Sequence, residues 1–168
     1  MMRTCIVAAC FAVALAGCNG GETAETGTDS DTSTDTDTMA TCETDICAVY
    51  GAAVPQVASD IVDAAATDPE FSDDFAGLVA QGEPAIGNFK TSLANFISDA
   101  YGCSTGAYTG PSMPAAHAGM DITQEEYDAF IGLIAGVLIE DGVTEDDVNL
   151  CFAPPLVATS FSSTIVGQ

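Results

Sequence analysis

The sequence predicts an all-α protein in which one helical domain follows a secretion signal and an acidic linker. Beyond residue 42, apolar side chains recur at helical spacing in several segments, and helix-starting and helix-ending residues flank these segments. No segment shows the two-residue alternation of apolar and polar side chains that is typical of a strand. A length of 168 residues with 48% hydrophobic content is enough for one domain with a packed core.

The first 18 residues predict export and attachment to a membrane. Arg3 precedes an apolar run, residues 5–14, that is too short to span a bilayer as a helix. The next four residues, Leu-Ala-Gly-Cys18, resemble the bacterial lipobox, which implies acylation of Cys18; an ordinary cleaved signal peptide is the alternative. We therefore expect an exported lipoprotein on the periplasmic or cell-surface face of a bacterial membrane.

Residues 19–41 predict a disordered linker, because this acidic, Thr- and Asp-rich stretch has too little apolar surface to bury. The helical domain then covers residues 42–168. The chain has 25 Asp and Glu against 2 Lys and Arg, so it lacks the basic patch that nucleic acid binding requires. The same negative charge opposes self-association, and we expect a monomer.

The first half of the domain contains two amphipathic helices. Pro55 suits a first helical turn, and the apolar spacing predicts a helix over 54–67 that Asp68-Pro69 ends. Phe71 and Phe75 follow in a short turn or helix. A second strong helix is predicted over 85–101, with Gly102 closing it, and a long irregular loop then runs to Pro114.

The second half also predicts two helices. The Thr123-Gln-Glu-Glu126 stretch is a capping box that starts a helix, and Asp141-Gly142 stops it. Thr144 with Asp147 begins the last helix. Pro154-Pro155 must kink or interrupt that helix, which is predicted to resume through Leu156, Phe161 and Ile165.

Four cysteines in the domain, Cys42, Cys47, Cys103 and Cys151, predict two disulfides, because an exported domain folds in an oxidising compartment. Three pairings are possible. Buried free thiols are an alternative, whereas the scattered spacing does not suit a tetrahedral zinc site.

The stretch around the only histidine gives the most specific functional signal. Its distinctive residues are Tyr108, Thr109, Gly110, Met113, Ala116, His117, Gly119, Ile122 and Thr123. This pattern resembles the proximal segment of truncated haemoglobins, most closely group I. The resemblance implies a 2-over-2 globin-like sandwich of two antiparallel helix pairs, with His117 as the ligand of a haem b iron. Neutral imidazole is a good iron ligand, which agrees with this role.

The same resemblance implies which other residues bind the haem. Lys90 would pair with a haem propionate, and Tyr108 and Met113 would lie beside the haem edge. The remaining positions are apolar walls of the pocket: Val62, Phe75, Phe89, Leu93, Ile97 and Phe130. The resemblance also implies the disulfide pairs Cys42–Cys103 and Cys47–Cys151.

The sequence departs from the family at two distal positions. The family usually has Tyr and Gln where this chain has Val62 and Leu93. Bound oxygen carries partial negative charge that a hydrogen-bond donor stabilises, and apolar walls offer none. We therefore expect CO or NO binding, fast oxygen loss and ready oxidation of the iron.

A haem-free globin-like surface module, which binds a partner or serves structurally, is the alternative function. Two observations suggest this alternative: the apolar residues on the distal side of the expected haem pocket, and the acidic linker. Enzymatic chemistry such as peroxidation is disfavoured, because it needs a distal acid–base group and the chain has no second His.

Overall fold

The computed structural model describes residues 41–168, which are helical with no strand, so the predicted all-α class is confirmed for this part of the chain. The predicted signal peptide, the acylated Cys18 and all of the predicted linker except Thr41 lie outside the described residues. Among residues 41–168, no helix has the length and apolar character needed to cross a membrane.

The helices follow the sequence pattern closely. In chain order they are α1 (Ile46–Tyr50), a 3-10 turn (Gly51–Ala53), α2 (Val54–Thr67), α3 (Ser72–Gln81), α4 (Glu83–Ala100), α5 (Met113–His117), α6 (Gln124–Glu140), α7 (Glu145–Asp147), a π-helical turn (Val148–Phe152), α8 (Ala153–Val157) and α9 (Thr159–Ser162).

Helices α2 and α4 form an antiparallel pair. Val54 and Ala58, early in α2, share a buried cluster with Ala94, late in α4. Further along α2, Asp63 pairs with Lys90, which comes earlier in α4, at 2.6 Å between Nζ and Oδ1. Ala58 is 0% exposed, so the two helices approach closely where small residues meet.

Helix α6 forms a second antiparallel pair with the C-terminal helical segments. The Tyr127 hydroxyl, early in α6, donates to the Leu156 carbonyl at 2.6 Å. At the other end of α6, Val137 and Leu138 share the main core cluster with Val148. The cluster also contains Val57 and Ile61 of α2, so the two helix pairs bury their apolar faces against each other.

Two local predictions are confirmed, and both have clear causes. Thr123 and Glu126 form the capping box, with each side chain bonded to the other residue's backbone N–H. Pro154-Pro155 distorts the last helix rather than interrupting it at that point, because proline lacks an N–H and its ring displaces the carbonyl four residues back. The preceding turn is widened to π geometry, with the Ala153 N–H bonded to the Val148 carbonyl. The helix continues through both prolines to Val157, ends at the extended Ala158, and resumes only as the short α9.

The disulfides join Cys42 to Cys151 and Cys47 to Cys103, with Cα–Cα distances of 4.8 and 5.1 Å. Four half-cystines were predicted correctly, but the expected pairs Cys42–Cys103 and Cys47–Cys151 were wrong. The reason is tertiary: Thr44 and Tyr50 both donate to the Asp147 carboxylate, which draws Cys42 towards the helical turn that carries Cys151. Cys47 then faces the end of α4, where its sulfur lies 3.6 Å from the Tyr101 carbonyl oxygen.

Non-reducing peptide mapping will test the disulfide pairing. In the Cys47→Ser/Cys103→Ser variant, the Cys42–Cys151 bridge should remain and the domain should contain no free thiol. Loss of the 56-residue cross-link should lower the free energy of unfolding by about 4 kcal/mol, by analogy with loops of this length. Two free thiols at Cys42 and Cys151 in this variant would refute the pairing.

A carboxylate pair between α2 and the end of α6 makes stability depend on pH. Burial raises the pKa of Asp141, and the charge and hydrogen bond of Asp60 raise it further, with a smaller contribution from Glu140. A raised folded-state pKa means that the ionised pair opposes folding above that pKa, and that the penalty disappears as the pH falls through it.

The Asp141→Asn variant should therefore be more stable than the parent at pH 7, by up to about 1 kcal/mol because the pair is mostly exposed. The gain should vanish at acidic pH, once the Asp141 carboxyl of the folded protein is protonated. Urea unfolding at the two pH values measures this, with Asp128→Asn as the control, since Asp128 bonds only the Gln124 side chain. Equal effects of both variants on stability at pH 7 would contradict a specific repulsion between Asp141 and Asp60.

Candidate functional site

His117 lies at the end of the short helix α5 and is half-buried. Its Nδ1 is 2.8 Å from the backbone carbonyl oxygen of Met113, one helical turn earlier. A carbonyl oxygen can only accept, so Nδ1 carries the hydrogen in this contact and the neutral ring presents its lone pair at Nε2. Within residues 41–168, no hydrogen bond to Nε2 accompanies it. The imidazole is thus arranged as a single-nitrogen ligand.

The segment before α5 is folded around the Tyr108 ring. The Tyr108 hydroxyl donates to the Pro111 carbonyl at 2.8 Å, and the ring packs edge-on against Phe96 of α4, with centroids 5.3 Å apart. The ring lies directly over Gly110, where an added Cβ would be 2.4 Å from the hydroxyl oxygen. An alanine at position 110 would therefore force the Tyr108 ring to move.

Asp99, in the last turn of α4, holds the same loop through its carboxylate. One oxygen accepts from the Ser104 hydroxyl and from the Ala107 N–H at 3.2 Å, and the other accepts from the Tyr108 N–H at 2.8 Å. The Ser104 hydroxyl and then the Tyr108 amide lower the pKa of Asp99 below its ordinary value. The carboxylate therefore stays ionised and keeps its donors down to a more acidic pH than a free Asp would.

The segment after α5 is held by the last two residues of the chain. The Gln168 backbone carbonyl accepts from the N–H groups of Gly119 and Asp121, at 3.1 and 3.3 Å, and the Gly167 N–H donates to the Ile122 carbonyl. Asp121 has a left-handed backbone, with φ of 51°, which Asp tolerates better than most residues. The helix that bears His117 is thus anchored at both ends.

The residues predicted to line a haem pocket differ in how exposed they are to solvent. Val62 is 2% exposed and belongs to the interior. Phe75 and Phe89 meet edge-to-face with centroids 6.2 Å apart, and Phe89 is 41% exposed. The others are half-buried, namely Leu93, Ile97, Tyr108, Met113 and Phe130. Of these, Leu93 and Ile97 pack against both core clusters, and Phe130 against the main cluster.

Lys90 was predicted to pair with a haem propionate, and its ammonium contacts the Asp63 carboxylate at 2.6 and 2.7 Å. Asp63 was not part of the prediction. Because the Asp63 side chain is 60% exposed, this ion pair is of the weak surface type. Exchange of its partner for another carboxylate would cost little.

Two residues of the site were not indicated by the sequence patterns. Asp99 organises the loop before His117, and Phe161 of α9 stacks on Phe96 with centroids 6.3 Å apart. Gly110 was named in the histidine motif, but its close contact with the Tyr108 ring was not predicted. The only local signal for Asp99 was its place in the last turn of a helix, where a carboxylate opposes the helix dipole, and this position does not specify a role. No local signal pointed to the stacking of Phe161.

Other features of the described residues lie apart from this arrangement. A groove of about 420 Å³ runs between α2 and α6, lined by Ala64, Thr67, Asp68, Pro69, Leu133, Gly136, Val137 and Glu140. None of the predicted haem-lining residues takes part in it. Within residues 41–168, no group of three or more His, Cys, Asp or Glu side chains is arranged to hold a metal ion.

No protein-family model matches the sequence, and no curated protein is significantly similar to it.

The contact between Tyr108 and Gly110 leads to a stability prediction. Gly110→Ala should displace the Tyr108 ring and break its bond to Pro111, which lowers the free energy of unfolding by about 1–2 kcal/mol. Gly77→Ala is the matched control, because nothing lies within 4 Å of a Cβ there and alanine favours the α3 helix. Urea unfolding should show destabilisation at position 110 and stabilisation at position 77; a neutral Gly110→Ala would mean that the ring is not fixed over Gly110.

Proposed function

We propose that residues 42–168 form a truncated-globin-like domain that binds haem b through His117 and holds a diatomic gas, O2, NO or CO. The domain would be exported and lipid-anchored through Cys18. The observation that carries the proposal is the hydrogen bond from His117 Nδ1 to the Met113 carbonyl. In haem proteins that use a neutral His, such a bond sets the tautomer and orients the ring for the iron.

The helix arrangement supports the same proposal. Two antiparallel helix pairs packed against each other, α2 with α4 and α6 with the C-terminal segments, agree with a 2-over-2 globin-like sandwich. The short helix with His117 lies in the chain between these pairs, as the resemblance implies. The side chains that the resemblance places along the haem include Leu93, Ile97 and Phe130, which are apolar and half-buried, so each keeps part of its surface exposed.

The chain's own residues have distinct tasks in this proposal. His117 Nε2 donates its lone pair, and the Met113 carbonyl keeps the proton on Nδ1. Apolar side chains exclude water and place no hydrogen-bond donor beside a bound gas. Haem, when bound, supplies the iron that coordinates the gas. Because Val62 and Leu93 offer no hydrogen bond, gases that need no donor, CO and NO, are favoured over O2.

Titration of the purified protein with haemin tests the proposal. The parent should develop a Soret band and, after reduction, a five-coordinate ferrous spectrum. His117→Ala should lose this spectrum, and added imidazole should restore it by replacing the missing ligand. Met120→Ala is the matched control, since Met120 is an exposed potential iron ligand three residues further on, and it should behave like the parent.

Two results would refute the proposal. If the parent takes up no haemin, the haem assignment is wrong. If His117→Ala gives the parent's spectrum, the ligand assignment is wrong.

A haem-free binding or structural module is the second candidate. The complete burial of Val62 and the engagement of Lys90 with Asp63 favour it, because both residues are satisfied within the protein itself. Under this alternative, the parent would show no haemin uptake in the same titration.

A further inference from the structure

We propose that Asp99 is a positioning residue for His117, acting through the loop between Cys103 and Ser112. The part of this inference that concerns haem binding rests on the proposed function. The part that concerns the orientation of the His117 ring can be tested in the haem-free protein and does not.

Helix α5 cannot orient His117 by itself. The helix has five residues, and an isolated helix of this length is not stable in water. The bond from His117 Nδ1 to Met113 exists only while this turn stays helical, since the two residues are four apart. The orientation of the ring therefore depends on what holds the two ends of α5.

The upstream end of α5 is attached to α4 through Tyr108. The Tyr108 N–H bonds Asp99, and its ring packs on Phe96, which lies one turn earlier on the same helix. Its hydroxyl then bonds the Pro111 carbonyl, directly before the Ser112 cap of α5. A short chain of contacts thus leads from the α4 surface to the first residue of the histidine helix.

Asp99 is the polar centre of this attachment. Its two oxygens accept from three different residues of the loop, Ser104, Ala107 and Tyr108. The Cys47–Cys103 disulfide fixes only the start of the loop, five residues before Tyr108. Without the carboxylate, two backbone N–H groups and a hydroxyl would lose their acceptor, and the loop near Tyr108 would be held mainly by the ring contact with Phe96 and the bond to Pro111.

Asp99→Ala and Asp99→Asn test the proposal, with Asp128→Asn as the control that removes one carboxylate elsewhere. The first readout uses the haem-free full chain. Its single histidine gives one set of imidazole signals in ¹H–¹⁵N NMR. At a pH where the ring is neutral, the parent and the control should show the proton on Nδ1. Asp99→Ala should show a mixture dominated by the Nε2 tautomer, which free imidazole side chains prefer in water.

The second readout uses the haemin-reconstituted protein. Affinity for haemin should fall about 10-fold to 100-fold in Asp99→Ala, the range seen for groups that orient a metal-ligating His. The iron–His stretching frequency of the ferrous form should shift as well, which a merely structural loss of stability would not cause. Asp99→Asn keeps one acceptor oxygen and should be intermediate in both readouts; it decides the test if Asp99→Ala does not fold.

Folded Asp99 variants that keep the parent's Nδ1 tautomer and iron–His frequency would overturn the proposal. If the parent itself takes up no haemin, the proposed function fails. The tautomer measurement then still decides whether Asp99 positions the ring.

Discussion

The rest of the structure depends on a shortage of cations. Among the described residues, Lys90 with Asp63 is the single ion pair, although the chain has 25 Asp and Glu. Carboxylates can only accept, so the acids that organise the fold use hydroxyl or N–H donors in place of cations. Asp147 uses Thr44 and Tyr50, Asp99 uses Ser104 and Tyr108, and Glu126 uses Thr123. These bonds lower the pKa of each of the three acids, so their stabilising effect is present at neutral pH and is lost as the pH falls through the lowered pKa.

This constraint also explains why the helices are joined covalently. A strongly negative chain repels itself in the compact state, and it cannot offset that repulsion with ion pairs. Disulfides act independently of charge and pH, because they restrict the unfolded chain. Cys42–Cys151 lies beside the Asp147 carboxylate, and Cys47–Cys103 begins the loop that Asp99 holds. Each cross-link therefore supports a place where a carboxylate organises a loop or a helix end.

Local features of the fold were predictable from the sequence, whereas long-range ones were not. The bounds of α2 agreed with the prediction of 54–67, because Pro55 and Asp68-Pro69 act on their own neighbours. The capping box at Thr123 and the distortion of the last helix at Pro154 followed for the same reason. Helix α4 begins at Glu83, two residues before the expected start, because Gly82 has φ of 83° and Pro84 suits the first turn.

The disulfide pairing and the role of Asp99 depend on which surfaces meet in three dimensions. Cys42 and Cys47 are only five residues apart, and spacing alone does not tell which of them faces the last helix. Tertiary bonds to Asp147 decide it. Similarly, Asp99 looks like any exposed helix-end carboxylate until the loop folds back on it. The proposed iron ligand could be chosen from sequence because the residues around the single histidine form a local motif, but the arrangement that orients its ring could not.

In the proposed function, the same shortage of cations determines how haem would be held. Haem carries two propionates, and the protein that receives it is negative, with its one described Lys already bonded to Asp63. Attraction between charges therefore contributes little, and the binding energy has to come from apolar contact and from the bond between iron and His117. A coordinate bond is strong only in a narrow range of ring orientations. A protein that depends on this bond, and carries its histidine on a five-residue helix, needs firm anchors on both sides of it. Asp99 upstream and the Gln168 carbonyl downstream occupy these two places.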